Sequence, residues 1–160
     1  MTKDVLVQQF ANCYDKNDWF VAVKNSVEGL TAEQAEWKPT ETQHSIWELV
    51  SHLSHDNNAC LQRFQGVDYT SPAANNVETF HSVSGSWEGD LEGFDAIMTK
   101  WRELLKNADD AKLGELAPHR SETTWGTEIA NMNGHNAYHG GQIVLLRKLQ
   151  GIWQTEKGVS

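Results

Sequence analysis

His135 and His139 stand four residues apart in a segment of helical periodicity. On a helix that spacing puts both imidazoles on one side, one turn apart. A single helix usually offers two nitrogen ligands to one metal in this way. At about 100° per residue the pair shares its stripe with Glu128, Met132, Gln142, Ile143 and Leu146. Imidazoles on a stripe that faces a core need polar partners, and a metal supplies one. The spacing alone is a weak signal, because surface histidines are common.

A third ligand must come from another element, and His52 is the best candidate. It lies about 60° from Leu49 around a helix, at the edge of that segment's apolar face. The plainer alternative for His52 is a half-buried ring bonded to a carbonyl. His55 is a rival that projects about 60° further away. Cys60 sits two turns past His52 and about 80° around, a poor fourth ligand. Three neutral imidazoles without a fourth protein ligand make an open site, which holds water or polarises a substrate. Zn, Ni, Fe, Co and Mn all accept imidazole, so one divalent ion is expected, with Zn or Ni foremost. His44, His81 and His119 fall in or near connections and read as solvated.

Four long periodic stretches must position these residues. The first runs from about Asp4 to Leu30, with Leu6, Phe10, Cys13, Asn17, Phe20, Lys24 and Val27 on one helical face and Gly29 ending it. Thr31 to Gln34 reads as a capping box opening a short turn that stops at Pro39. The second stretch is Ser45 to Phe64, opened by a Ser45–Glu48 capping box. Residues 66–80 show no period and read as a loop. The third stretch is Ser86 to Asn107, stepping through Trp87, Leu91, Phe94, Met98, Trp101 and Leu105. The fourth is Trp125 to Gly151, with Thr127 as a candidate N-cap. Pro39, Pro72 and Pro118 all fall between stretches. Nothing alternates at period two, so the expected fold is an all-α four-helix bundle.

The chain has 160 residues, 39% hydrophobic and 22% charged, with a formal charge of −9. This suits one domain over residues 1–160 and excludes a chain that is a disordered tail protein. The acidic balance argues against a nucleic-acid partner. No apolar run approaches a membrane span, and the opening residues Met1-Thr2-Lys3-Asp4 lack the charged-then-apolar layout of a secretory signal. A cytoplasmic protein is therefore expected. Two cysteines, Cys13 and Cys60, make no CxxC pair and read as small core residues.

Three segments together resemble a known family. Residues 26–39 (SVEGLTAEQAEWKP) resemble the first-helix exit of the DinB-like (DNA-damage-inducible) superfamily. Residues 45–53 (SIWELVSHL) resemble its second-helix motif, and HNAYHGGQ over 135–142, preceded by Thr124-Trp125-Gly126-Thr127, is similar to its fourth-helix signature. The resemblance implies an up-down-down-up bundle with long connections, often a homodimer. It implies one divalent metal held by His52, His135 and His139. Family members include bacillithiol-type S-transferases, a mycothiol-dependent isomerase and metal-dependent hydrolases. One departure stands out. Where the family often has an acidic residue three after the second-helix ligand, this chain has His55, with Asp56 beside it.

Gln142 lies three residues after His139 and either bonds a ligand or substrate or packs beside Gly140 and Gly141. Glu128 could orient an imidazole or act as a general base, but its first-turn position favours a solvated carboxylate. These two are the catalytic candidates. The leading expectation is a metal-dependent enzyme that activates a small-molecule thiol, or water, against an electrophilic substrate. The alternatives are a non-catalytic metal-binding stress-response protein and a purely structural bundle.

Overall fold

A computed structural model describes residues 2–157 of the chain. Its helices are α1 (Thr2–Tyr14), α2 (Val23–Ser26), α3 (Ala32–Glu36), α4 (Ile46–Phe64), α5 (Trp87–Asn107), α6 (Asp110–Gly114) and α7 (Trp125–Leu149). Two short 3-10 turns, Val77–Phe80 and Thr155–Lys157, complete the elements. No strand forms among the described residues; one isolated bridge joins Leu116 and Thr124.

The long helices α1, α4, α5 and α7 form a four-helix bundle, and side-chain contacts give their directions. Leu6 lies beside Gly126, and Cys13 donates to Asn133 O, so α1 and α7 run parallel. Trp47 packs on Trp87 and Phe64 on Trp101, so α4 and α5 run parallel. Phe64 also packs on Trp125, while Asn57 bonds Asn136 further along, so α4 and α7 are antiparallel. The order is up-down-down-up. Parallel neighbours cannot be joined by a tight turn. The crossover between α4 and α5 must therefore travel back along the bundle, and it carries the Val77–Phe80 turn onto α4.

Local sequence explains the helix ends. Ser45 and Glu48 close a full capping box on α4, as Thr31 and Gln34 do on α3. Ser86 caps α5 through Gly89 N. Gly66 (φ 80°) and Gly151 (φ 71°) take the left-handed turn just beyond α4 and α7. The N-cap of α7 is Thr124, which accepts from Thr127 N, rather than Thr127 itself.

The first stretch departs from expectation. It is not one helix from Asp4 to Leu30: α1 stops at Tyr14 and a short α2 follows at Val23. Asn17 Oδ1 accepts from Ala22 N at 3.0 Å and from Asn25 Nδ2 at 2.8 Å. A short polar side chain that bonds nearby backbone competes with helix propagation. Val21, Ala22 and Val23 are still buried, so the break turns the chain without leaving the core.

The core is built on indoles. Trp87, Trp101 and Trp125 are each at most 1% exposed. Trp87 Nε1 donates to Leu30 O and Trp101 Nε1 to Asn57 O, both at 3.0 Å, so these rings bury their area with the polar edge satisfied. Truncating a buried Trp to Ala costs about 3–5 kcal/mol.

Candidate metal centre

α4 and α7 cross at a buried polar clamp. Asn57 Nδ2 donates to Asn136 Oδ1 at 2.8 Å, and Asn136 Nδ2 returns a bond to Asn57 Oδ1 at 3.1 Å. Both residues are fully buried. This reciprocal pair fixes the register of the two helices beside the histidines.

In that register His52, His135 and His139 converge. His52 Nε2 lies 3.1 Å from His135 Nε2, and His139 Nε2 lies 3.0 Å from the same atom. The three form a group able to hold a metal ion. The rings stand nearly perpendicular to one another, at 83–85°. His52 and His139 are buried and His135 is half-buried.

Outer hydrogen bonds set the protons. His52 Nδ1 lies 2.7 Å from Thr79 Oγ1, and Thr79 donates its own hydroxyl proton to Asn76 O at 2.6 Å. Thr79 must therefore accept, so His52 carries its proton on Nδ1. His139 Nδ1 lies 2.6 Å from Gln142 Oε1, an amide oxygen that can only accept. Both rings thus turn an Nε2 lone pair toward His135. A single N–H on His135 could serve one of these contacts and not both.

The charge state agrees. Burial pushes His52 down to about 4; Asp56 opposes this, and the neighbouring imidazoles add to it. Burial also lowers His135 and His139. The rings are neutral at pH 7, the form that ligates metals. Three neutral nitrogen donors, two with fixed tautomers aimed at one point, fit a divalent cation on the chemistry of the donor set.

Asp56 adds a carboxylate. Its Oδ2 lies 3.5 Å from His52 Nε2 and 4.0 Å from His135 Nε2. Its i+4 relation to His52 on α4 put it on the same face, a spacing that could have singled it out. Thr79 carried no such signal, because it arrives on the aperiodic crossover. Phe80 from the same turn stacks on His52 at 4.2 Å between centroids and on His44 at 3.8 Å.

The other candidates separate. Gln142 bonds His139 and so orients a ring of the cluster. His55 is not brought to the three: its Nε2 lies 2.9 Å from Ser71 Oγ, and its Nδ1 lies 3.2 Å from Asp56 Oδ1. His44, His81 and His119 are all exposed, but His44 stacks on Phe80 with its Nδ1 3.3 Å from Glu48 Oε2, and His119 is engaged. Its Nε2 lies 3.0 Å from Glu128 Oε1. Glu128 is not a solvated helix-start carboxylate. It is 8% exposed, and Arg120 Nε stands 3.3 Å from its second oxygen. It touches none of the three converging imidazoles. Cys13 and Cys60 are buried, and burial pushes their thiols up to about 11 and about 12.

Residues 22–143 match the sequence model of the DinB superfamily. The chain belongs to the DinB superfamily. Its fold is similar to that of YfiT from Bacillus subtilis, described as a probable metal-dependent hydrolase with an unusual four-helix bundle topology. The two share 18% identity at a TM-score of 0.67, over 95% of this chain and 89% of YfiT. No functionally curated protein matches the chain. No helix among the described residues is long and apolar enough to cross a membrane.

Proposed function

We propose that this DinB superfamily protein is a metal-dependent enzyme acting on a small molecule, with His52, His135 and His139 holding one divalent ion. The observation that carries this reading is the convergence of three Nε2 atoms, with the outer nitrogens of His52 and His139 engaged by Thr79 and Gln142. Even with a proton on His135 Nε2, one of the two contacts at 3.0–3.1 Å sets lone pairs against each other, and a cation among the three relieves it. A divalent ion in such a site supplies Lewis acidity, which lowers the pKa of a water or thiol and polarises an electrophile.

The chain's own residues then divide the work. Thr79 and Gln142 keep His52 and His139 in the Nδ1–H tautomer and fix the ring planes. Asp56 Oδ2, beside the cluster and in the cavity wall, accepts the proton that the nucleophile gives up. The buried thiols of Cys13 and Cys60 take no part. YfiT's description supports hydrolysis, and the family resemblance supports thiol transfer. The ligand set serves either reaction.

We also propose a homodimer through the outer face of α7. Tyr138, Leu145 and Leu149 are 63%, 56% and 58% exposed on that helix. Gly141 lies between Tyr138 and Leu145, and Gly134 one turn before Tyr138, with open space over each glycine. An apolar face with small residues admits close approach of a second helix.

The test is turnover by purified protein, stripped of metal and reloaded with one divalent ion at a time, against ester, amide and epoxide substrates with and without a small thiol. The expected result is activity only in a loaded form. It disappears in His139→Ala and falls strongly in Asp56→Asn. Turnover that is equal in stripped protein contradicts the proposal.

A further inference from the structure

The cavity beside the histidines has two chemically different ends. It has a volume of about 400 Å³ and lies in the groove between α4 and α7. Asp56 and His135 form one end, next to the three converging nitrogens. Arg63, Arg120 and His119 line the other, with Glu128. Asp56 and Arg63 are seven residues apart on α4, and Glu128 and His135 are seven apart on α7. Seven residues make two helical turns on nearly one face, so the ends are separated by about 10 Å. Ala59, Cys60 and Met132 form a largely apolar waist between them, with Asn131 at its side.

The charges at the far end are not equivalent. Glu128 is engaged: His119 holds one oxygen and Arg120 approaches the other. Arg63 is different. Its guanidinium lies over the Tyr69 ring at 5.7 Å, and among the described residues no carboxylate ion-pairs with it. A planar guanidinium held on an aromatic face at the end of a partly apolar groove is suited to a carboxylate or phosphate oxyanion.

We propose that the groove selects elongated substrates with an anionic group, one end reacting at the histidine cluster and the anion resting on Arg63 about 10 Å away. The short apolar waist favours an unbranched or flat linker between the two. This deepens the proposed function and rests on the metal reading of the three histidines. Arg120, already paired with Glu128, lends the anion a second positive field. Arg63 is thus a specificity residue that touches no reacting atom.

The probes are hydroxamates, which chelate metals at one end. Binding to zinc-loaded protein is measured by calorimetry for suberic monohydroxamate, which ends in a carboxylate, and for octanohydroxamate, which ends in a methyl. Succinic monohydroxamate has the carboxylate on a chain too short to reach Arg63. The expected result is that suberic monohydroxamate binds roughly tenfold tighter than octanohydroxamate, equivalent to about 1.4 kcal/mol. Succinic monohydroxamate gains no such advantage. Arg63→Gln brings the suberic compound down to the octanohydroxamate value, while Arg63→Lys keeps part of the preference. Equal binding of the two long probes to wild-type protein overturns the anion subsite and leaves the metal reading standing. A preference that survives Arg63→Gln also overturns it. If neither long probe binds loaded protein, the metal reading and the subsite both fall.

Discussion

Thr79 Oγ1 accepts a hydrogen bond from His52 Nδ1–H across 2.7 Å and donates its own to Asn76 O. The hydroxyl comes from the crossover between α4 and α5, so the long connection is a structural partner of the site. Removing this acceptor frees His52 to change tautomer or rotate. Thr79→Val should weaken divalent-ion affinity by about 10–100-fold, with Thr79→Ser close to wild type. Competition against a chromophoric chelator reads the change. Equal affinities in Thr79→Val and wild type would remove the crossover from the account.

Asn57 and Asn136 bond each other reciprocally while fully buried. Asn136→Ala leaves the Asn57 side-chain oxygen without that donor in the core. A buried unsatisfied polar group costs about 1–3 kcal/mol. Chemical denaturation should show a loss in that range, with weaker metal binding, because the pair sets the register that brings His52 to α7. A loss below about 0.5 kcal/mol, within the range of ordinary surface substitutions, would contradict this role.

The metal-free protein should lose stability in mild acid. Burial holds His52 at about 4 when folded, against an ordinary 6.5. Between those values the unfolded chain binds more protons than the folded chain, so stability rises with pH. The contribution is complete above about pH 6.5 and declines as pH falls toward 4, by something of the order of 2–3 kcal/mol. His135 and His139 are shifted in the same direction and add to the slope. Urea titrations at pH 7.0 and 4.5, compared with His52→Gln, measure it; a steeper slope in the variant than in wild type would contradict the assignment.

Much of this architecture is legible in the residues alone. The capping boxes at Ser45 and Thr31 announce helix starts, and the 4-3 stepping from Trp87 to Leu105 describes α5. The HxxxH spacing and the edge position of His52 bring together the three imidazoles that the fold unites. What fails is local competition and long-range arrival. Asn17 lies on the expected stripe, yet its side chain bonds Ala22 N and ends the helix pattern early. Thr79 and Phe80 reach His52 from a segment without periodicity, so no spacing rule finds them. Glu128 looks like a first-turn carboxylate, but His119 and Arg120, which cover it, come from the preceding connection.

Cys13 and Cys60 should be silent in the folded protein. Their thiols are buried and pushed up to about 11 and about 12, so almost no thiolate exists at neutral pH. An aromatic disulfide reagent should label neither thiol in native protein and both in denaturant. Rapid native labelling of either would show that its helix opens readily.

The metal content of the three-imidazole cluster is the most direct test of its role. Elemental analysis combined with calorimetric titration of stripped protein should give one divalent ion per chain. Binding should drop at least about 100-fold in each of His52→Ala, His135→Ala and His139→Ala while the helical spectrum is retained, since each substitution deletes a ligand rather than one of its supports. A wild-type protein that takes up no divalent ion, or single variants that bind as tightly as wild type, would contradict it.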